Sequence, residues 1–249
     1  HVYRYHHELF TLLILALDRT CVVPLCFAPV MERALRRVPE DSALKEMFSP
    51  LRKALEEARI QAESDYDQLR ELNLRYAALL DAGQSTEAEA LYRECRGMEE
   101  ALLRRFKREQ DTFVRMDWDG KVFYPHELVL DAIEHLTAAE NGLRQGDLPR
   151  ALRHLYQVDN NAYAFTFDEN VFRHFTTYMT DQPRDRLKWG WGRLMPHADL
   201  YATVSSLLQK HACARTDCAE EIARLQQAIV QQRTLLEQVM NSMNDFLCE

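Results

Sequence analysis

The chain has 249 residues, of which 47% are hydrophobic and 28% are charged, and its formal net charge is −8. A negative field of this size repels phosphate backbones, so the sequence excludes nucleic-acid binding by the whole surface. Only 7 glycines and 8 prolines are present, which is too little turn chemistry for a many-stranded sheet. Composition therefore predicts an all-α fold.

The first predicted helix, from about Tyr5 to Cys21, is apolar nearly all round, as a helix buried inside a larger assembly would be. Pro24 ends this helix. A second predicted helix then carries apolar residues from Val30 to Val38 on one side and arginines on the other.

The longest pattern predicts an antiparallel helical hairpin over about Ser49–Trp118. Apolar positions step by threes and fours through both arms, which is the spacing of a seam between packed helices. Asp81 to Gly83 supplies the stop between the arms, and Ser85 can cap the second arm. Two such helices joined by a short turn must lie antiparallel and extend about 45 Å.

Several shorter helices and one long helix are predicted after the hairpin. Pro125 opens the next helix, with Glu127 in its first turn, where a carboxylate favours the helix dipole. Gly146-Asp147 marks a stop and a new start, and the following helix extends to Phe165. The sequence patterns divide the chain into a helical bundle over 1–166 and a helical C-terminal extension over 167–249.

Two sets of side chains in the extension are predicted to contact a partner. Trp189 and Trp191 stand on a glycine-containing loop, where large aromatic residues anchor either a partner or the chain's own core. The last helix is coiled-coil-like, since its apolar positions alternate threes and fours up to the end. Its predicted interface residues are Ile222, Leu225, Ile229, Leu236, Val239, Met243 and Phe246.

Cysteine usage and hydropathy bear on the compartment. Six cysteines are too few for a disulfide scaffold in a chain of this length. The pairs Cys21/Cys26 and Cys213/Cys218 are spaced more widely than most zinc ligands, so we interpret them as free thiols, with structural zinc as the alternative. Free thiols favour the cytoplasm. The longest apolar stretch, Leu9 to Leu17, is too short for a bilayer, so we expect no membrane span.

Few patterns point to catalysis, and no complete catalytic site is predicted. The sequence has no glycine-rich phosphate loop, no nucleophile elbow, no paired-histidine zinc motif and no di-iron Glu-x-x-His motif. The motif His6-His7-Glu8 does not fit one helical face, because adjacent residues point about 100° apart. Glu127, Asp131 and His135 share one stripe at four-residue steps, which indicates a metal or acid/base group, with a surface ion pair as the alternative.

The order of these elements resembles the helical C-terminal dimerisation domain of the transferrin-receptor and glutamate-carboxypeptidase-like family of di-zinc aminopeptidases. The match covers about His7 to Phe165 and leaves Asp168 to Glu249 unexplained. The residues that carry the resemblance are Val22 to Phe27, Phe48 to Leu51, Met98 to Leu103 with Phe106, Phe123 to His126, Asp131 to Ile133, Gly146-Asp147 and Ala162 to Phe165.

The resemblance implies an accessory domain that forms a homodimer and shapes a peptidase site in another part of the same polypeptide. Zinc would belong to that peptidase domain, an aminopeptidase or carboxypeptidase, and no cofactor or metal ligand is carried onto this chain. Because the sequence begins at His1 rather than methionine, we expect a piece of a longer protein. The alternative hypothesis is a free-standing coiled-coil scaffold or interaction protein whose last helix binds another protein.

Overall fold

The computed structural model describes residues 2–39, 45–118, 121–180 and 194–248. Within these ranges it is 78% helical, with nine α-helices and one two-stranded sheet. The predicted all-α class is confirmed. The chain divides into two compact units, His1–Gln110 with Leu247–Glu249, and Asp111–Phe246. This division falls inside the predicted hairpin.

The first unit is built from four helices among the described residues. They are α1 (Val2–Leu17), α2 (Ala28–Arg36), α3 (Lys45–Asp81) and α4 (Ser85–Phe113). Helix α3 alone has 37 residues, which corresponds to a length of about 55 Å.

Helices α3 and α4 form an antiparallel hairpin. Gly83 makes the turn between them in the left-handed region, at φ +69°. The ring centroids of Tyr76 and Tyr92 are 6.2 Å apart near the turn. Further along the arms, the Arg105 guanidinium donates to Asp65 at 3.3 Å. The seam between the arms is apolar and includes Leu69, Leu72, Tyr76, Leu79, Leu91, Cys95 and Leu102.

The side chain of Asn73 ties the segment that follows α1 to α3. The Oδ1 atom of Asn73 accepts hydrogen bonds from the backbone N–H groups of Cys21 at 2.9 Å and Val22 at 3.1 Å. Its Nδ2 donates to the carbonyl oxygen of Val22 at 3.0 Å. A single amide therefore satisfies three backbone groups of a segment with no regular secondary structure.

The second unit combines a small two-stranded sheet with several helices, and Leu225, Ala228 and Ile229 of its last helix belong to its core. It contains β1 (Arg115–Met116), β2 (Val122–Phe123), α5 (Pro125–Arg144), α6 (Leu148–Leu155), a 3-10 helix (Asn161–Phe165), α7 (Glu169–Thr180), α8 (Tyr201–Ala212) and α9 (Ala219–Cys248). The two strands are antiparallel, with Arg115 opposite Phe123. Leu136, Leu155, Leu207 and Leu225 are fully buried in its core.

The helix starts of this unit follow from local side-chain chemistry. Pro125 opens α5, and the Glu127 carboxylate accepts the backbone N–H of Tyr124 at 3.0 Å. Gly146 adopts φ +73° after α5. Asp147 then caps α6, because its Oδ1 accepts the N–H of Arg150 at 3.0 Å.

The predicted helix that continues to Phe165 is interrupted, since α6 ends at Leu155. The backbone leaves the helical region at Asp159, where φ is 47°. The side chain of Asn161 then binds the surrounding backbone. Its Nδ2 donates to the carbonyl oxygens of Val158 at 3.0 Å and Ala198 at 2.8 Å, and its Oδ1 accepts the N–H of Leu200 at 3.0 Å. Two of these bonds tie the 3-10 turn to the segment that precedes α8.

The predicted second arm of the hairpin also ends earlier than expected. Helix α4 ends at Phe113, whereas the sequence predicted a helix as far as Trp118. Strand β1 lies in the remaining stretch and pairs with β2. No helix among the described residues has the length and apolar content needed to cross a bilayer.

We expect the substitution Asn73→Ala to lower the free energy of unfolding by about 2–3 kcal/mol, because it leaves three partly buried backbone groups without their partner. Chemical denaturation followed by circular dichroism measures this change. Asn73→Asp keeps the acceptor and loses the donor, so its effect should be smaller. Equal stability of the alanine variant and the wild type would contradict this account.

Candidate functional site

A pocket of about 440 Å³ in the second unit contains most of the polar candidate residues. Its walls come from the β1–β2 region, the first turns of α5 and the segment after α6. The polar and aromatic side chains that line it are Asp117, Trp118, Lys121, Phe123, Glu127, Asp131, Gln157 and Asp159. The pocket is therefore acidic, with one lysine at its edge.

Two of the carboxylates at the pocket hold the backbone beside it. The Oδ1 atom of Asp117 accepts the backbone N–H of Lys121 at 2.8 Å. Glu127 is the capping residue of α5 and accepts the N–H of Tyr124. Both carboxylates thus have a structural task that accounts for their position without a ligand.

Asp159 is the most unusual carboxylate of the pocket. Its backbone adopts φ 47°, a conformation that is uncommon outside glycine. Its Oδ2 accepts the N–H of Ala198 at 2.9 Å. Burial raises the pKa of this carboxyl to about 6, although the bond from Ala198 opposes the shift.

His197 is a buried neighbour of Asp159. Its side chain is 7% exposed, and its Nδ1 is 3.8 Å from the Asp159 carboxylate. Neither ring nitrogen has a hydrogen-bond partner among the described residues. Its ring packs edge-on against Trp118, with centroids 5.6 Å apart, and against Phe172 at 5.8 Å. Burial lowers the pKa of His197 to about 4, so the imidazole is neutral at pH 7.

The predicted group of Glu127, Asp131 and His135 is only partly brought together. Glu127 and Asp131 line the pocket, and Asp131 Oδ1 is 3.7 Å from His135 Nε2. His135 itself turns to His154, with the two Nδ1 atoms 3.1 Å apart. Within the described ranges, no group of three histidine, cysteine, aspartate or glutamate side chains could hold a metal ion.

His154 on α6 and His174 on α7 differ in their surroundings. Burial is the largest cause that lowers the pKa of His154, and the charge of His135 is the next. His174 is exposed and its ring contacts Phe175, with centroids 5.7 Å apart.

The predicted interface residues of the last helix lie largely inside this chain. Leu225, Ile229, Leu236 and Met243 are buried, whereas Ile222, Val239 and Phe246 are partly exposed. The Phe246 ring packs edge-on against Phe113, with centroids 5.5 Å apart. Only the partly exposed side chains of α9 therefore remain as predicted contacts with a partner. Trp189 and Trp191 lie outside the described residues.

Helix α1 is the most exposed apolar element of the first unit. None of its residues is buried. Ten of its large apolar or aromatic side chains are 49% or more exposed. They are Val2, Tyr3, Tyr5, Leu9, Phe10, Leu12, Leu13, Ile14, Leu15 and Leu17. At about 100° per residue, the run from Leu9 to Leu17 points in nearly every direction around the helix axis.

The hairpin carries a second exposed apolar surface. Tyr92, Leu103 and Phe106 are 47%, 49% and 48% exposed. Their spacing places them on one side of α4. On α3, Ile60 and Leu74 share a side and are 58% and 67% exposed. Large apolar side chains that are grouped in this way mark interaction surfaces more often than single ones do.

Comparison of the chain with protein-family models, with curated proteins and with solved structures found no match in any of the three. Function is therefore inferred from the geometry above and from the resemblance in the sequence.

We expect the substitution Asp159→Asn to gain about 3 kcal/mol of stability relative to the wild type as the pH is raised from 3.5 to 7.5. The folded carboxyl has a pKa of about 6, against an ordinary value of 3.8. Between these values the unfolded chain has released a proton that the folded chain still holds, so wild-type stability falls as pH rises through this window. Asparagine does not titrate.

Urea denaturation of both proteins at several pH values between 3.5 and 7.5 measures the difference. The introduced amide can still accept the N–H of Ala198, and the tolerance of asparagine for positive φ adds a contribution that does not vary with pH. A stability difference that stays constant across the series would contradict the raised pKa.

Proposed function

We propose that this chain is a non-catalytic helical accessory domain of a zinc-dependent aminopeptidase-like protein, where it mediates subunit association and shapes the peptidase site. The observation that carries the proposal is the apolar surface that the first unit leaves exposed on α1 and on one side of the hairpin. Surfaces of this kind are stable in water only when another protein surface covers them.

Helix α1 requires a partner that encloses it. A helix at a flat interface between two bodies buries one side, whereas α1 is apolar in nearly every direction. The occupant that fits is the peptidase domain of the same polypeptide. The resemblance supports this choice, because the segment Val22 to Phe27 is similar to the junction that follows the last helix of the peptidase domain in that family.

The exposed side of α4 is suited to a second copy of this chain. A two-fold interface places the same patch of both subunits in contact, and an aromatic and aliphatic stripe along a long helix can pair with itself in this way. Tyr92 and Phe106 are the anchors that we expect at its centre. Exposed ion pairs flank the stripe on the same helix, including Arg93 with Glu89 and Arg104 with Glu100.

We expect the chain to sediment as a dimer at micromolar concentration and the double variant Leu103→Glu with Phe106→Glu to sediment as a monomer. Two carboxylates in the centre of an apolar interface should weaken association by at least about a hundredfold. Each carboxylate would lose its water in the interface and gain no hydrogen-bond donor or opposite charge in return. Sedimentation velocity over a concentration series measures both states.

The matched control is Met98→Glu. Met98 is 43% exposed on the same helix, but it lies about a third of a turn around the axis from the stripe. This variant should remain dimeric, and circular dichroism should show all three proteins equally helical. A wild-type chain that is monomeric throughout the series, or a dimer that survives both glutamates, would contradict the proposal for α4.

The enzymatic context is tested separately by the complete open reading frame of the gene. We expect an upstream segment with the histidine, aspartate and glutamate ligands of a two-zinc peptidase. A reading frame without such a segment would rule out the peptidase context and would leave the association surface to be explained by another partner.

A further inference from the structure

Two buried thiols lie in contact in the first unit, although they are far apart in sequence. All six cysteines of the chain are free thiols. The Sγ atoms of Cys21 and Cys95 are 3.5 Å apart, across a separation of 74 residues. Each residue is 2% exposed, and both belong to the apolar cluster between the segment after α1 and the hairpin. No other cysteine pair has such a contact among the described residues.

We propose that Cys21 and Cys95 form a site for reversible disulfide modification by small disulfide compounds. A disulfide requires the sulfur atoms to approach to about 2.05 Å. Starting from 3.5 Å, this approach is within the reach of side-chain rotation and small backbone shifts. The thiols are aligned already, because the Sγ of Cys95 donates to that of Cys21 and the latter donates to Asn73 Oδ1 at 3.5 Å.

The route for the oxidant is a surface pocket of about 480 Å³ that is lined by Cys21 itself. Its other walls include Thr20 and Val23 of the segment after α1, Tyr76 of α3 and Tyr92 of α4. Cys95 is not among the lining residues. This arrangement makes Cys21 the thiol that meets the oxidant first and Cys95 the thiol that resolves the intermediate.

The reaction proceeds by two exchanges and needs no metal. The Cys21 thiolate attacks one sulfur of the small disulfide and releases one thiolate, which leaves a mixed disulfide on Cys21. The Cys95 thiolate then attacks the Cys21 sulfur and displaces the second half of the oxidant. Both cysteine protons end on the two released thiols. The protein thiols are oxidised, the small disulfide is reduced, and a small thiol reverses the sequence.

The surroundings of Cys21 make this a slow site. Burial, together with the neighbouring Cys95 thiol, raises the pKa of the Cys21 thiol to about 12. The titratable groups that line the pocket beside it are carboxylates and phenols, namely Asp18, Tyr76, Glu89, Tyr92 and Glu99. None of these is a cation that would favour the thiolate.

The new disulfide would add a covalent connection between the segment that follows α1 and the hairpin. In the reduced protein the segment after α1 is tied to α3 through Asn73. Oxidation adds a covalent tie to α4 and closes a loop over the 74-residue separation. A loop of that length constrains the unfolded chain strongly, so the oxidised unit should melt about 10 °C higher than the reduced one.

The test uses the full chain with its exposed cysteines replaced, Cys26→Ser, Cys213→Ser and Cys248→Ser, incubated with glutathione disulfide at pH 8.5. We expect an intact-mass loss of about 2 Da, from the two hydrogens of the thiols, without a retained glutathione adduct. A proteolytic digest should contain a single linked pair of peptides carrying Cys21 and Cys95. Dithiothreitol should reverse the mass loss and the rise in melting temperature.

Two further variants separate the roles of the thiols. Cys95→Ser should retain glutathione on Cys21, since no thiol resolves the intermediate, whereas Cys21→Ser should give no linked peptides. Cys218→Ser removes the remaining buried thiol and should oxidise normally. The proposal would be overturned if the digest contained no Cys21–Cys95 link, or if the mass loss persisted without Cys95. The digest of the parent chain decides the question even if a serine variant fails to fold.

Discussion

The apolar seam between the two arms of the hairpin is the constraint on which the first unit depends. Its residues recur at intervals of three and four, and each arm offers an apolar stripe that the other arm covers. Because the seam holds α3 and α4 side by side, Asn73 on one arm and Cys95 on the other can meet the segment that follows α1. Without it, neither contact would exist.

Features that depend on near neighbours in sequence could be predicted well. The start of α5 at Pro125, the capping role of Asp147 and the turn at Gly83 all follow from the chemistry of a few adjacent residues. The apolar positions of α9 were predicted as a helix seam, and Leu225 and Ile229 are indeed buried. Periodicity does not reveal which surface covers a helix, however, and here the chain's own core covers much of it.

Features that depend on distant residues were missed. Asp159 and His197 carry no motif, and they come together because Asn161 and Asp159 bind the backbone of Ala198 and Leu200. The contact between Cys21 and Cys95 was missed for a similar reason. The sequence directed attention to the closely spaced pairs Cys21/Cys26 and Cys213/Cys218, whereas helix packing selected a partner on another arm.

The acidic pocket shows how a concave site can arise from structural needs. Asp117 and Glu127 order the backbone around it, Asp131 interacts with His135, and Asp159 fixes the start of the segment that leads to α8. Each carboxylate has a partner within the chain. The exposed apolar residues of α1 have no such explanation inside the unit, and they therefore carry more functional information than the pocket does.

The hydrogen bonds between the Asn73 amide and the segment after α1 have a consequence for the evolution of this chain. Three hydrogen bonds of the amide go to main-chain atoms of residues 21 and 22, and these bonds do not depend on which side chains stand at those positions. Because both side chains are buried, substitutions there must still fit the apolar cluster, but apolar replacements of similar size can accumulate without breaking these three bonds, provided that the amide is retained. In distant descendants of this chain, an asparagine in the middle of the first hairpin arm would consequently be a more durable marker of the junction than the junction's own residues.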